Sequence, residues 1–321
     1  MKQRRVVAYV LVGLCLTIAG CARPEPATQE VYPTVQPLPG RIAFLSSRDD
    51  GEATVYVINS DGTGLTRLTP PEMPVNSPRW TAGCRQVVFS ARDGIYQVNT
   101  DGSGLEHIKQ LSSFSALAPS PDGKYIVFDA QEATSRVYNL WMMSADGVGA
   151  EQLTNCSFDC LAPEWSSDEQ TIYYWAAEND YTTPPIRYTL NKTDVYGRKH
   201  TVWLSASETA DIISLGPISP DGTQFVMTKE MDQDEHTDIF TLDIASKTWH
   251  QLTDDHAYYD RPAWSPDGRQ IVFMRYEVPS RPMSRAFPSI AGLWIMNADG
   301  TGRFELVPPI GVNGSPDWCA P

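Results

Sequence analysis

Apolar positions recur at every second residue in short stretches along most of the chain: "RIAFLS" (41–46), "VYVI" (55–58), "IYQV" (95–98), "LWMM" (140–143), "IFTL" (239–242) and "LWIM" (293–296), with "RYTL" (187–190) the weakest. This period of two predicts half-buried β-strands. Most of these runs meet "SDGTG", "TDGSG", "ADGVG" or "ADGTG" and then a short segment closing on "RLT" or "QLT". Asp-Gly between strand-like runs signals a hairpin, because glycine accepts the positive φ of the tight turn.

A second recurring stretch precedes each pair. "PAWSPDGRQIVF" (262–273) has counterparts in "SPRWTAGCRQVVF" (77–89), "APSPDGKYIVF" (118–128), "APEWSSDEQTIYY" (162–174) and "GPISPDGTQFVM" (216–227), and "SPDW" (315–318) supplies one more opening. The place of Trp264 is thus taken by Trp80, Pro119, Trp165, Ile218 and Trp318. Each unit therefore reads as four antiparallel strands, A to D. Ser-Pro-Asp-Gly joins A to B, and Asp-Gly-x-Gly joins C to D. Thr81-Ala82-Gly83-Cys84 replaces the first turn in one unit, and "NKTDVYGRKH" (191–200) lacks the second.

A four-stranded unit cannot bury both faces alone, so units pack on one another, and radial packing gives a propeller. The expected fold is all-β: six blades of four antiparallel strands. The first strands, from Arg41, lack a strand A, and the last opening, "SPDW", lacks B, C and D. One completes the other, so the C-terminal strand is expected to join the first blade and close the ring, removing two exposed edges. The Trp-Ser-Pro-Asp-Gly opening, the aromatic third strand, the Asp-Gly-x-Gly turn and the Leu-Thr ending resemble the TolB-like family of WD-repeat-like propellers over residues 41–318. The resemblance implies the same six-bladed ring.

Upstream, Lys2, Arg4 and Arg5 precede an apolar run from Val6 to Ile18, too short for a permanent span and suited to a signal peptide. "IAGC" (18–21) resembles a bacterial lipobox, which makes Cys21 the expected lipidated first residue of the mature chain. Pro24, Pro26, Pro33, Pro37 and Pro39 follow and suit an extended tether. The organisation expected is a signal peptide over 1–20, a tether over 21–40 and the propeller over 41–321. The protein would then lie on the extracytoplasmic side of a bacterial membrane, touching it through the lipid alone.

Net charge is −14, and −17 once Lys2, Arg4 and Arg5 leave with the leader. Such a surface repels nucleic acid and anionic head groups, and favours solubility or a basic partner. A monomer is expected.

Four cysteines outside the leader and Cys21 allow three pairings. Cys156 and Cys160 share one D-to-A loop. Cys84 in an A-to-B turn and Cys319 beyond a strand A share the other face. The expected disulfides are Cys156–Cys160 and Cys84–Cys319; Cys-x-x-x-Cys without a second pair is weak evidence for zinc.

No cofactor or metal is expected. The aspartates of the turns, among them Asp61, Asp101, Asp122, Asp146, Asp221, Asp267 and Asp299, give one carboxylate per loop where calcium needs several. They read as turn residues. His107, His200, His236, His250 and His256 are scattered without ligand spacing, and no Gly-x-Ser-x-Gly elbow occurs. With Pro321 closing the sequence, no hydrolase domain of the oligopeptidase kind is expected. A carboxylate pair across the channel, contributed by different blades, would leave no local motif, so an envelope hydrolase or lyase acting on polysaccharide or peptide stays as the alternative. A structural spacer is a third.

The main expectation is a binding module for a protein or envelope component. The B-to-C and D-to-A loops vary from "SARDG" (90–94) to "MRYEVPSRPMSRAFPSIAG" (274–292), and function collects on varied loops held by a rigid scaffold. On that face the candidate contacts are Asn76, Phe158, His256, Tyr258, Tyr259, Asp260, Arg281, Arg285 and Phe287, since aromatics and arginine anchor interfaces.

Overall fold

In the computed structural model, residues 38–49, 51–132, 135–179, 186–231, 236–276 and 290–320 are described. The alternating runs form twenty-four strands in six four-stranded antiparallel sheets. Blade one holds β1 (Arg41–Ser46), β2 (Thr54–Asn59) and β3 (Thr66–Arg67). Blade two holds β4 (Val75–Trp80), β5 (Gln86–Ala91), β6 (Gly94–Asn99) and β7 (Glu106–Gln110), and blade three β8 (Phe114–Pro119), β9 (Tyr125–Gln131), β10 (Tyr138–Ser144) and β11 (Glu151–Gln152). Blade four follows with β12 (Cys160–Trp165), β13 (Thr171–Ala177), β14 (Tyr188–Asp194) and β15 (Thr201–Leu204). Blade five has β16 (Ile212–Ile218), β17 (Gln224–Met231), β18 (His236–Asp243) and β19 (Trp249–Gln251), and blade six β20 (Tyr258–Trp264), β21 (Gln270–Tyr276), β22 (Ala291–Asn297) and β23 (Phe304–Val307).

The last strand, β24 (Asn313–Cys319), pairs antiparallel with β1, Trp318 opposite Ile42 and Asp317 opposite Ala43. The ring closes as the repeat count requires. The Cys84–Cys319 disulfide fastens that strand to blade two across a sequence separation of 235, and Cys156–Cys160 ties the start of β12 to its preceding loop.

The core lies between blades, where apolar faces of neighbouring sheets meet. Val87, Phe89 and Trp80 of blade two pack with Ala43, Val55 and Val57 of blade one, and Ile42, Phe44 and Trp318 pack with Val272, Leu293 and Ile295 of blade six. The repeated tryptophan also staples blades. The Trp80 indole donates to the Asp317 carbonyl at 3.0 Å, and that of Trp165 donates to the Ala118 carbonyl at 2.9 Å. The indoles of Trp264 and Trp318 are buried without a hydrogen-bond partner, so two of the four tryptophans make the staple, and Ile218 keeps only an apolar contact at this position.

The turns behave as their sequences dictate. Asp122 Oδ1 accepts from Ser120 Oγ at 2.7 Å and from the Lys124 amide at 3.0 Å; Asp61 and Asp101 each accept the amide two residues on at 2.9 Å. In blade four, Asp194 takes over, accepting from the Arg198 amide at 2.8 Å. These hydrogen bonds hold the turn carboxyls low, that of Asp122 at about 2. Thr81–Cys84 replaces the turn with a short 3₁₀ segment, and Gly83 there has φ of 74°.

Candidate functional site

Every inner strand carries a bulge where the register with its neighbour slips: between Asn76 and Arg79, Phe114 and Leu117, Leu161 and Glu164, Asp260 and Ala263, at two places in β16, and in β24 opposite Ala43 and Leu45. Bulges turn a strand and re-aim its side chains. In four blades the bulge residue precedes proline and is left-handed: Ser77 at φ 48°, Ala162 at 50°, Arg261 at 47° and Ser315 at 48°. Non-glycine residues rarely adopt such values, and pre-proline residues favour extended backbone, so strain is concentrated around the channel.

Hydrogen bonds hold the ring of bulges in place. Buried Asp129 of β9 accepts the amides of Ser115 at 2.7 Å, Ala116 at 3.0 Å and, from the next blade, Ala162 at 2.8 Å. Burial pushes its carboxyl up while these bonds oppose the shift. Ser214 Oγ and Thr228 Oγ1 share a 2.6 Å hydrogen bond in blade five. At Gly216 a Cβ would come within 2.3 Å of the Pro262 carbonyl, so only glycine lets the inner strands of blades five and six approach this closely.

On the side of the B-to-C and D-to-A loops the ring opens into a cavity of about 1070 Å³, walled by Asn76, Phe114, Asp260, Arg261 and Tyr276 with backbone of several bulges. A second cavity of about 880 Å³ adjoins it, lined by Leu161, Trp175, Tyr188, Ile212, Ile213 and Leu215. Asp260 and Arg261 border both. Asp260 Oδ1 accepts the Arg261 amide at 2.7 Å, and Arg261 Nη1 donates to Ser315 Oγ at 3.0 Å. This arrangement offers a charged, hydrogen-bonding ridge between a basin of mixed polarity and a more apolar one.

Deeper in the channel three charged side chains from three blades meet. The guanidinium of Arg79 donates to Glu164 Oε1, and the Trp80 amide donates to Asp317 Oδ2 at 2.7 Å. Burial pushes both carboxyls up, and the Asp317 charge adds to the shift at Glu164; Arg79 opposes it at both. All three occupy one repeat position, the residue before the recurring tryptophan position, which reads Arg79, Ala118, Glu164, Pro217, Ala263 and Asp317 around the ring. Raised carboxyls from different blades do occur here, but each is already engaged, Glu164 by a guanidinium and Asp317 by an amide. Neither lines the two large cavities.

Of the contacts expected from sequence, Asn76 and Asp260 line the mouth. Tyr259 does not. It is fully buried between blades five and six, packs on Phe273 at 5.5 Å and donates its hydroxyl to Asp255 at 2.5 Å. Strand alternation at β20 turns it inward, where an aromatic reads the same as a surface anchor in sequence. Tyr258 is half-buried against Tyr276 at 5.2 Å, and exposed His256 packs edge-on against His236 at 4.8 Å. Phe158 is half-buried in the small disulfide loop. These three lie outside both cavity linings. Cys21, Arg281, Arg285 and Phe287 lie outside the described residues. Arg261, Tyr276, Trp175 and Tyr188 were not foreseen. Arg261 had a signal: the pre-proline position reads Ser77, Ala162, Arg261 and Ser315, and the arginine stands out. Among the described residues no group of three His, Cys, Asp or Glu side chains is arranged to hold a metal ion.

The sequence family described as the TolB beta propeller domain matches residues 128–277. The propeller is TolB-like. The Tol-Pal system protein TolB of Anaeromyxobacter sp. (strain K) is 31% identical over 129 residues, which is 39% of this chain and 29% of that protein. Dipeptidyl-peptidase 5 of Porphyromonas endodontalis is 23% identical over 255 residues, 74% of this chain and 35% of that one. This chain therefore spans about a third of the length of these two relatives. The crystal structure of TolB from Acinetobacter baumannii superposes with a TM-score of 0.69 at 19% identity, covering 87% of this chain and 66% of that one. Sequence similar to this chain thus occurs in a Tol-Pal protein and in part of a peptidase, so the resemblance alone does not assign a role.

Proposed function

We propose that this chain is a lipid-anchored, extracytoplasmic TolB-like binding module whose loop-side mouth receives a protein or cell-envelope component. One observation carries the reading: the paired cavities are walled by aromatic, apolar and hydrogen-bonding side chains meeting at Asp260 and Arg261, a composition suited to recognition. Kinship with a Tol-Pal system protein supports an envelope setting, and the net charge of −14 favours a basic partner. The hydrolase or lyase reading needs a carboxyl free to move a proton. Glu164 and Asp317 are the raised pair in the channel, and both are tied to fixed partners.

Pull-down from the native envelope, followed by titration of the captured component with Asp260→Ala and Arg261→Ala proteins, tests this. Loss of capture with an unchanged melting temperature is the expected result. Full retention by both variants rejects the mouth as the binding site.

A further inference from the structure

The two faces of the propeller differ in which one the chain arrives on. Leu38 lies on the turn side: its amide donates to Gln270 Oε1 at 3.1 Å, at the start of β21, and its carbonyl accepts from Ser60 Oγ, just after β2. The Leu38 side chain packs against the core shared by blades one and six. The Ser60 amide donates to the Gly40 carbonyl at 3.0 Å, and β1 then runs from the turn side at Arg41 to the loop side at Ser46. The chain is thus pinned to the face opposite the mouth before its first strand begins.

We propose that the anchored protein is held with its turn face toward the membrane and its mouth turned away from it, so that its ligand approaches from the side remote from the anchoring bilayer. This rests on the lipid-anchored reading. Seventeen residue steps separate Cys21 from Leu38. They span at most about 60 Å at ~3.6 Å each. Inverting the propeller would route this segment across about two strand spacings, ~10 Å, and past a blade edge of ~23 Å. More than half of the reach would be consumed, with the chain confined along the rim, and confinement of that kind costs conformational entropy.

The turn face is acidic. Asp61, Asp101, Asp122, Asp146, Asp221 and Asp299 project there, each held ionised by hydrogen bonds within its own turn. Anionic head groups repel such a face within a Debye length of about 8 Å, which opposes close approach, so the orientation rests on where the chain is pinned and not on charge. A neighbour in the same leaflet would meet acidic hairpins, and the mouth is left to a component beyond them.

Strand β9 provides a ruler, since exposed Lys124 precedes it on the turn side and exposed Glu132 follows it on the loop side. The chain from Cys21 onward is coupled through the Cys21 thiol to a maleimide lipid and bound to phosphatidylcholine vesicles carrying a rhodamine-headgroup lipid. A donor fluorophore is attached by click chemistry at Lys124→azidophenylalanine or at Glu132→azidophenylalanine. Transfer from position 124 should exceed that from 132 by roughly twofold or more, given a separation of ~26 Å along the strand. Equal transfer, or stronger transfer from 132, overturns the proposal. A protein lipidated instead at Glu132→Cys in a Cys21→Ser background should show weaker transfer from the donor at Lys124→azidophenylalanine than the Cys21-lipidated protein does, which verifies the ruler. Because the lipid is attached chemically, the outcome does not depend on whether the cell acylates Cys21; that reading stands or falls by fractionation of the Cys21→Ser protein.

Discussion

Arg79 of blade two donates to Glu164 of blade four across the channel, bridging sheets that are not neighbours in the ring. Asp317 of blade one adds a second negative charge near the same guanidinium, so two acids share one partly buried base. Removing Arg79 leaves both carboxyls without their counter-charge. The Arg79→Leu protein should lose about 3–5 kcal/mol at pH 7. Denaturant titration measures it, and a loss below ~1 kcal/mol would mean that the interblade ion pair has little structural weight.

The pH dependence has a definite sign. Glu164 and Asp317 titrate higher in the folded protein than in the unfolded chain, because burial disfavours their ionised forms. Their contribution is present in full below the unfolded carboxylate range and is lost as pH rises through the folded values. An Asp317→Asn protein keeps an acceptor for the Trp80 amide and should lose less stability than wild type as pH rises from that range. Parallel melting curves for the two proteins across that interval would contradict this.

The two disulfides should differ in worth. On a chain-entropy estimate, the loop closed by Cys84–Cys319 stabilises by about 5 kcal/mol and the one closed by Cys156–Cys160 by about 2 kcal/mol. Comparing the Cys84→Ser/Cys319→Ser and Cys156→Ser/Cys160→Ser double variants by chemical denaturation checks the order. A reversed order would place the weak point of the fold in blade four instead of at the closure of the ring.

Tyr259 and Asp260 are adjacent yet should respond differently. Tyr259→Phe removes a buried hydroxyl bonded to Asp255 and should cost about 1 kcal/mol of stability with partner affinity unchanged. Asp260→Ala should weaken binding by more than ~1 kcal/mol if the ridge lies at the centre of the interface. Asp101→Ala and Thr63→Ala, on the turn side, serve as controls that affect hairpin stability alone.

If Cys21 carries the proposed lipid, Cys21→Ser should release the protein from membranes without changing its circular dichroism, because the apolar anchor is lost and the propeller is untouched. A variant that still sediments with membranes would remove lipidation from the account.

The architecture was legible because it is written six times. Period-two runs, Asp-Gly turns and a misplaced last strand at 315–318 fix blade number, strand order and closure without tertiary information. The disulfides followed, since the face of each cysteine is set by its turn or loop. The mouth was legible only in part. Loop position suffices to put Asn76 and Asp260 at the cavity, but Tyr259 reads in sequence as a surface anchor because alternation gives the direction of a side chain only when the register is known, and the bulge between Asp260 and Ala263 shifts it. The Arg79–Glu164–Asp317 cluster could not be found by local spacing, because its members are neighbours only after the ring closes.

Closure by β24 also imposes an order on biogenesis. β1 lacks its inner neighbour until Asn313–Cys319, the last of the propeller's strands in chain order, has been synthesised. Until then blade one presents an unpaired strand and the ring stands open beside its core. The propeller therefore cannot complete its fold before β24 is made, and a product cut short ahead of that strand would be left as an open ring with a bare edge, exposed to pairing with other chains and to proteolysis.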